Sequence, residues 1–213
     1  MLLPLEVSSR DKFEAHVNVS RETYQKLEHY EIMLKKWQKA MNLVSRNTLP
    51  VVWTRHFLDS AQMLNIFPYK VESLLDIGSG AGFPGMILAI LGATNVNLVE
   101  PNQKKCLFLR EVSRETSTAV TIHNSRIEEL PIKCFSVVTA RAFAPLTVIL
   151  EKAKPFLGKK SVGVFPKGAS LQKELTTANK QWNMKYSLVQ SISDSAGCLV
   201  RLEGMVHESR TAR

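Results

Sequence analysis

The stretch LLDIGSGAGFPG, Leu74 to Gly85, places four glycines and one acid directly after the start of an apolar run. Residues without side chains let a loop turn tightly and bring its N–H groups against a bound molecule, at the start of the following helix. The stretch therefore predicts a strand, a bare loop and a helix that together hold a nucleotide-type cofactor.

Downstream of this loop, short apolar runs alternate with helical patterns. The predicted strands are SLLDI, VNLVE, AVTIH, FSVVTA and SVGVF, and the predicted helices are PGMILAIL, QKKCLFLREVSRE, PLTVILEKAKPFL and residues 168–182. Strands that are apolar throughout indicate a parallel sheet covered on both faces. The last two runs, MKYSLVQSIS and GCLVRLE, are separated only by DSAG, which predicts an antiparallel hairpin. This α/β layout, a seven-stranded, mostly parallel sheet with a C-terminal hairpin, is that of the Rossmann-like class I methyltransferases.

Two amphipathic helices precede the sheet. Apolar residues recur at three- and four-residue steps between Ser20 and Val44, with Ser20 as N-cap, and a second helix is expected after Pro50. The sequence thus predicts an N-terminal helical cap over residues 1–70 and a methyltransferase domain over residues 71–213.

Composition excludes several classes of protein. The three cysteines, Cys106, Cys134 and Cys198, form no C-x-x-C pair, so neither disulfides nor zinc are expected, and Cys134 is predicted to be a small core residue. The chain has no signal-peptide pattern and no apolar run long enough for a membrane span. We expect a cytoplasmic monomer without metal or membrane contact.

The net charge of +9 is unevenly distributed. Lys+Arg exceed Asp+Glu by 10 to 7 in residues 1–70 and by 11 to 5 in residues 151–213, but the two are equal at 7 in residues 71–150. Basic flanks around a neutral cofactor segment suit a polyanionic substrate such as a nucleic acid. The alternative is an ordinary solvated basic surface.

Two residues of the glycine loop distinguish between cofactors. Gly80, Gly82 and Gly85 also spell the dinucleotide fingerprint G-x-G-x-x-G. However, the Asp76 carboxylate would repel a pyrophosphate, and Pro84 removes an N–H that a phosphate needs. Both features suit S-adenosylmethionine, which has no phosphate and carries a sulfonium and an ammonium, better than NAD(P).

Further candidates for cofactor contacts follow the second and third strands. Glu100 ends NLVE, where an acid can accept hydrogen bonds from both ribose hydroxyls of the adenosine, although it would serve NAD equally and could be a surface acid. In SRIEEL, the turn at Ile127 and Glu128 can close over the adenine. The alternative for Glu128 is an ordinary acid of a first helical turn.

The fourth strand ends in VVTARAFAPL, without the Asn/Asp-Pro-Pro-aromatic motif of amino-methylating enzymes, and Cys134 lies at the wrong end of it for a cytosine-methylating nucleophile. The missing motifs favour an acceptor that needs neither a base nor covalent activation. Guanine N7, whose lone pair carries no proton, is such an acceptor, and it needs alignment with the donor and exclusion of water. An unpaired guanine could stack on Phe143, for which a core role is the alternative.

Together, LLDIGSGAGFPG, NLVE with KKCLFLRE, SRIEEL, TARAFAPL, FPKG, NLVS and RHFLDS resemble the bacterial small-subunit ribosomal RNA guanine-N7 methyltransferase family, RsmG or GidB. The resemblance extends from about Ser20 to Arg201. It implies S-adenosylmethionine as donor and guanine 527 in the decoding-region loop of 16S ribosomal RNA, free or in the small subunit, as acceptor.

The resemblance also implies cofactor contacts for Gly78, Phe83, Ile127, Glu128 and Arg141, with Asp76, Gly80 and Gly82 shaping the pocket. Three residues are candidates for positioning rather than base catalysis: Arg141, His56 and Lys167. Arg141 could bind the methionine carboxylate or an RNA phosphate, or form a structural salt bridge. His56 and Asp59 could pair on one helix face.

Lys167 could contact phosphate or substrate, or be a solvated lysine. The candidate RNA contacts are Lys35, Lys36, Lys39, Arg46, Arg55, Lys167 and Arg201, of which Arg201 could point away. The alternative functions are methyl transfer to another RNA, to a protein or to a small molecule, a non-catalytic RNA-binding module, and an NAD-linked oxidoreductase.

Overall fold

The computed structural model describes residues 8–68 and 70–207, which are built around one seven-stranded sheet. The strands are β1 (Leu74–Ile77), β2 (Val96–Val99), β3 (Val120–His123), β4 (Phe135–Thr139), β5 (Leu157–Lys167), β6 (Trp182–Gln190) and β7 (Cys198–His207). Their order is β3-β2-β1-β4-β5-β7-β6, with β7 antiparallel to β5 and β6 and the other pairs parallel. The predicted fold class is therefore confirmed.

The helices fall into a cap that precedes the sheet and the crossovers that connect its strands. The cap contains α1 (Ser9–Glu14), α2 (Arg21–Gln38), and a continuous helical segment made of a π-helical turn (Trp53–Leu58), α3 (Asp59–Ala61) and a 3₁₀ turn (Gln62–Ile66). The crossovers contain α4 (Gly85–Ile90), α5 (Gln103–Glu115), α6 (Leu146–Ala153) and α7 (Leu171–Ala178). None of the helices among the described residues is long and apolar enough to cross a membrane.

The alternation of side chains along the strands divides the core into two layers. In β1, Leu74 belongs to the layer that includes the cap, whereas Leu75 and Ile77 belong to the layer beneath α6 and α7. The first layer also contains Tyr30 of α2 and Phe57 of the π-helical turn. The cap therefore shares one hydrophobic core with a face of the sheet. The predicted domain boundary at residue 70 stays a prediction, and the ends of both predicted units, 1–7 and 208–213, lie outside the described residues.

Three details differ from the sequence-based expectations. Helix α2 ends at Gln38 rather than near Val44, because the Gln38 side chain binds the backbone of Leu43 and Val44 and stabilises a loop there. Trp182 begins β6 instead of ending a helix, since it is buried against the sheet. Cys134 is exposed, so its predicted core role is wrong.

Candidate active site

A cleft of about 720 Å³ lies at the carboxyl ends of the parallel strands, where the direction of strand order reverses between β1 and β4. This is the place where ligands bind in open α/β sheets. The loops after β1, β2, β4 and β5 form its floor, and the cap and the tip of the β6–β7 hairpin form its walls. The lining residues include Ser45, Thr48, Arg55, His56, Asp59, Gly78, Gly80, Phe83, Glu100, Lys105, Arg141, Phe143, Lys167, Asp194 and Cys198.

The glycines after β1 are required by backbone conformation and by space. Gly78, Gly80 and Gly82 have φ values of 69°, 58° and 96°, a region that residues with a Cβ rarely adopt. A Cβ on Gly78 would overlap the Phe143 ring, and a Cβ on Gly82 would overlap the Tyr30 hydroxyl. The loop thus lies between Phe143, which follows β4, and Tyr30 of the cap.

Glu100 connects the glycine loop to the end of β2. The N–H of Gly80 donates to Glu100 Oε2 at 2.9 Å, and the N–H of Asn102 donates to Oε1 at 2.8 Å. The residue is 5% exposed and lines the cleft. Each carboxylate oxygen retains a second lone pair, so Glu100 can accept from two ribose hydroxyls while its backbone bonds hold it in place.

Asp76 lies behind the glycine loop rather than on the cleft surface. It is fully buried, and Oδ2 accepts the N–H of Gly85 at 3.1 Å. Oδ1 has no hydrogen-bond partner among the residues that the structure describes. Burial raises the pKa of this carboxyl to about 7, against the opposing effects of Ser79, the Gly85 N–H and the Arg141 charge.

These features fit S-adenosylmethionine. A buried carboxylate with an unpartnered oxygen is unfavourable alone, and a ligand that brings positive charge to the loop would stabilise its ionised form. Because Oδ2 already accepts the first N–H of α4 and Pro84 before it has none, these two positions offer no donor to a pyrophosphate. Asp76 therefore still disfavours a dinucleotide. It does so from its buried position behind the loop, and not by facing the ligand as expected from the sequence.

Arg141, after β4, joins the sheet to the cap. Its guanidinium donates to Asp59 Oδ2 at 2.8 Å, to the carbonyl oxygen of Arg55 at 3.0 Å, and to His56 Nδ1. Its side chain is 13% exposed, and Cζ lies 5.4 Å from the centroid of the Phe83 ring. The structure thus brings Arg141 into the salt bridge that the sequence left as one alternative, at a position that still lines the cleft.

His56 does not pair with Asp59 as the helical spacing suggested; both side chains bind Arg141. Burial and the nearby Arg141 charge lower the pKa of His56 to about 3, so the ring is neutral. Since Nδ1 accepts from Arg141, Nε2 carries the proton and donates to Thr48 Oγ1 at 2.9 Å. The imidazole also stacks on Phe83 with ring centroids 4.7 Å apart.

The cap also holds the tip of the β6–β7 hairpin. Ser193 Oγ donates to Asp59 Oδ1 at 2.6 Å, and Gln62 Oε1 accepts the N–H of Ile192 at 2.9 Å. Arg55 forms an ion pair with Asp194 at 2.5 Å. Three segments distant in the chain, the cap segment at residues 55–62, the loop after β4 and the hairpin tip, are therefore joined beside the cleft by hydrogen bonds and ion pairs.

Lys167 is paired within the protein rather than solvated. Its Nζ lies 2.6 Å from Glu174 Oε2 and donates to the carbonyl oxygen of Ala144 at 3.1 Å, and the side chain is 10% exposed. Glu174 in turn accepts the N–H of Leu146 at the start of α6. Lys167 therefore fixes the loop after β4 beside the cleft.

The remaining predicted residues lie around the cleft rather than on it. Ile127 is buried, and Glu128 lies in a 3₁₀ turn (Ile127–Glu129) and pairs with Lys152 at 2.5 Å, as expected of a first-turn acid. Arg201 donates to the carbonyl oxygen of Ile66 at 2.8 Å and pairs with Glu203, so its side chain points away from the cleft.

Among the other candidate RNA contacts, Lys36, Lys39 and Arg46 are exposed, and Lys35 pairs with Glu31 at 2.7 Å. No group of three or more His, Cys, Asp or Glu side chains within residues 8–68 and 70–207 is arranged to hold a metal ion.

Sequence reasoning missed Thr48, Gln62, Ser193, Glu174 and Tyr30, all of which position cleft residues. The partners of Tyr30, Gln62 and Ser193 are far away in the chain, and those of Thr48 and Glu174 lie in a different element, so local spacing carries no signal for them. Of the residues that bind them, His56 and Asp59 lie in RHFLDS and Lys167 lies in FPKG, motifs that the sequence singled out.

A sheet of this order, a glycine turn after β1 and an acid at the end of β2 define the class I S-adenosylmethionine-dependent methyltransferases. Solved structures of similar fold agree. A putative O-methyltransferase from Klebsiella pneumoniae has a TM-score of 0.58 at 11% identity over 92% of this chain and 97% of that chain. A mutant of MtNAS in complex with S-adenosylmethionine has a TM-score of 0.56 at 14% identity over 85% and 72% of the two chains.

The sequence comparisons identify the family within this class. The family model described as rRNA small subunit methyltransferase G, GidB, matches residues 23–199. A ribosomal RNA small subunit methyltransferase G from Rhodospirillum rubrum is 50% identical over 93% of this chain and 98% of its own length. The protein of that name from Parvibaculum lavamentivorans is 42% identical over 94% and 91%. The chain belongs to the rRNA small subunit methyltransferase G family, as its motifs predicted.

Proposed function

We propose that this protein transfers the methyl group of S-adenosylmethionine to N7 of a guanine in 16S ribosomal RNA, at position 527. Family membership supports the RNA substrate. The geometry of the cleft supports an acceptor atom that has no proton to lose.

The observation that carries this proposal is that the histidine of the cleft has no lone pair available for a base. His56 Nδ1 accepts from Arg141, while its Nε2 proton is donated to Thr48. The carboxylates of Asp59, Glu174 and Asp194 are held in ion pairs. Guanine N7 is unprotonated at neutral pH, so its attack on a methyl group needs no base.

Bound S-adenosylmethionine supplies a methyl group activated by its sulfonium. The residues of this chain hold that donor and keep it in line with the acceptor. Glu100 accepts from the ribose hydroxyls, the backbone of Gly78 and Gly80 allows close approach, and Asp76 contributes negative charge behind the loop. The apolar ring of Phe83 helps to exclude water from the same side of the cleft.

Phe143 is our candidate platform for the guanine. It is 39% exposed, lines the cleft and lies directly against Gly78, next to the donor loop. A core role would bury the ring, whereas a half-exposed ring in a cleft can stack on an unpaired base. The substrate guanine would then lie between the donor loop and the hairpin tip.

Methyl transfer to a protein or small molecule is the nearest alternative function, and a non-catalytic RNA-binding module is the next. To distinguish them, ribosomal subunits from cells that lack this protein, and naked 16S RNA in parallel, are incubated with the protein and isotopically labelled S-adenosylmethionine. The labelled position is then mapped. We expect one labelled guanine, methylated at N7.

Label in ribosomal protein, or on an exocyclic nitrogen, would contradict the proposed acceptor. Calorimetric titration with S-adenosylmethionine tests for the non-catalytic RNA-binding module, because a module that has lost donor binding gives no binding heat.

A further inference from the structure

The hydroxyl of Tyr30, a residue of the cap, lies beneath the glycine loop that borders the cleft. Tyr30 is on α2, far from the loop in the chain, and is fully buried. Its hydroxyl donates to the carbonyl oxygen of Ala81, at the centre of the loop. On the same side, a Cβ on Gly82 would overlap this hydroxyl, so the loop approaches Tyr30 as closely as a glycine permits.

The ring of Tyr30 is held rigidly by other aromatic rings. It stacks on Phe57 with centroids 5.6 Å apart and on Phe83 with centroids 5.5 Å apart, at interplanar angles of 25° and 20°. Phe108 of α5 lies 6.1 Å away. A buried hydroxyl on a ring that cannot turn away is a fixed donor, and its bond to Ala81 determines the orientation of the adjacent peptide groups.

We propose that Tyr30 is a positioning residue for the methyl donor: its hydroxyl, supplied by the cap, holds the glycine loop in the conformation that binds S-adenosylmethionine. The inference rests on the proposed function, because it concerns the same cofactor site. Tyr30 itself does not line the cleft, so it acts through the loop rather than by contact with the cofactor.

The same geometry gives the cap a role in donor binding. Phe83 is stacked between Tyr30 on one side and His56 on the other, and Arg141 binds His56. The end of the loop is therefore packed against residues of α2 and of the π-helical turn. Without the hydroxyl bond, the loop would keep its packing but lose the contact that fixes the Ala81 carbonyl group.

The test is Tyr30→Phe, which removes the hydroxyl and keeps the ring. We expect the dissociation constant for S-adenosylmethionine, measured by calorimetry, and its KM in methylation of small subunits to rise about tenfold, the effect of one lost hydrogen bond. The KM for the ribosomal substrate should stay unchanged.

Two control variants separate positioning from general stability. Tyr24→Phe makes the same change on the same helix, where the ring stacks on Trp53 at a centroid distance of 5.0 Å, away from the loop. Phe13→Leu removes part of a fully buried cap ring that packs against Trp53 at 5.2 Å and does not reach the loop. We expect both controls to bind the donor like the unmodified protein, although Phe13→Leu should lower Tm.

Unchanged donor affinity in Tyr30→Phe would overturn the inference. It would also be overturned if Phe13→Leu lost as much donor affinity as Tyr30→Phe, because general destabilisation of the cap would then explain the loss. If Tyr30→Phe did not fold, hydrogen exchange of the unmodified protein would decide: the amides of Ser79, Gly80, Gly82 and Phe83, which have acceptors within the protein, should be protected before donor is added, and free exchange there would refute a preformed loop. Failure of the unmodified protein to bind S-adenosylmethionine would instead contradict the proposed function.

Discussion

Asp76 shows how burial changes the chemistry of a residue that is visible in the sequence. Its carboxyl is fully buried behind the donor loop, and one oxygen caps the start of α4 while the other has no partner among the described residues. Its pKa of about 7 means that the group is partly protonated at neutral pH without ligand. A cationic ligand favours the ionised form, so donor binding and ionisation of Asp76 are linked.

The first prediction concerns this linkage. Because protonated Asp76 cannot stabilise a cation, the affinity for S-adenosylmethionine should fall as pH decreases below about 7, by up to about tenfold per pH unit, and should be constant above it. Asp76→Asn should bind the donor about tenfold more weakly at pH 8 and lack this pH dependence. Calorimetry between pH 5.5 and 8.5 measures both, and a variant with unchanged affinity at pH 8 would remove the electrostatic argument.

The free energy of unfolding of the ligand-free protein should change with pH in the opposite direction to the donor affinity. The folded state keeps a proton that the unfolded chain loses above its ordinary pKa of 3.8. The free energy of unfolding should therefore decrease from about pH 4 to pH 7, by at most about 1.4 kcal/mol per pH unit from this group, and then level off. Chemical denaturation of the unmodified protein and Asp76→Asn isolates the contribution, since the variant lacks the titrating group.

At the scale of elements, the donor loop depends on its neighbours as much as on its own glycines. The N–H of Gly80 donates to Glu100 at the end of β2, the centre of the loop is held by Tyr30 of α2, and its start packs on Phe143 after β4. A substitution can thus disturb the loop through backbone strain, through a neighbour, or through both. Gly78 and Gly92 allow the two effects to be separated.

The second prediction compares Gly78→Ala with Gly92→Ala. Both glycines have positive φ, 69° and 102°, so each substitution costs about 1–2 kcal/mol in backbone strain. Only the Cβ on Gly78 meets another residue, the Phe143 ring, whereas the one on Gly92 has open space within 4 Å. We expect both variants to lower Tm, but only Gly78→Ala to lose donor affinity and methylation, each by tenfold or more.

Calorimetry with S-adenosylmethionine and the small-subunit assay measure this difference. Equal losses of affinity in the two variants would mean that strain alone disturbs the site. In that case the contact between Gly78 and Phe143 would have no special role.

At the scale of the whole molecule, three exposed basic residues lie beside a cleft whose own charged side chains are largely paired. Arg55, Arg141 and Lys167 form ion pairs within the protein. We therefore expect the RNA backbone to be bound mainly by the exposed residues near the mouth. Lys36, Lys39 and Arg46 belong to the end of α2 and the following loop, whose residues Leu43 to Ser45 line the cleft.

The third prediction is that Lys36→Gln, Lys39→Gln and Arg46→Gln combined weaken RNA binding at low salt and reduce its salt dependence. Loss of three phosphate contacts should lower the slope of log K against log salt by about 2. The control combines Lys133→Gln, Lys159→Gln and Lys160→Gln, equal in charge but located where β4 and β5 begin, at the opposite end of the sheet.

Filter binding of 16S RNA across a salt series measures the slopes. Equal losses for the two triple variants would indicate a general charge effect, as the solvated-surface alternative holds. An unchanged slope for the first would exclude this face as the RNA contact.

Local patterns predicted most of the fold because each depends on residues close in the chain. The period-2 and period-3.6 patterns located the strands and helices, and α5 was predicted from Gln103 to Glu115 as observed. Errors occurred where a contact outside the repeating pattern of the element decides the outcome. Helix α2 stops early because Gln38 binds the next loop, and Trp182 joins β6 because it completes the core beneath the sheet.

From its sequence alone, this protein was determined to be a class I methyltransferase of the rRNA small subunit methyltransferase G family, because glycines, a following proline and acids at strand ends are local requirements of the cofactor loop. Only the tertiary structure decided that Asp76 is buried, that Arg141, His56 and Lys167 have partners within the protein, and that Tyr30 holds the loop. Ionisation and hydrogen bonding depend on burial and on distant neighbours, and neither is encoded in the spacing of residues along the chain.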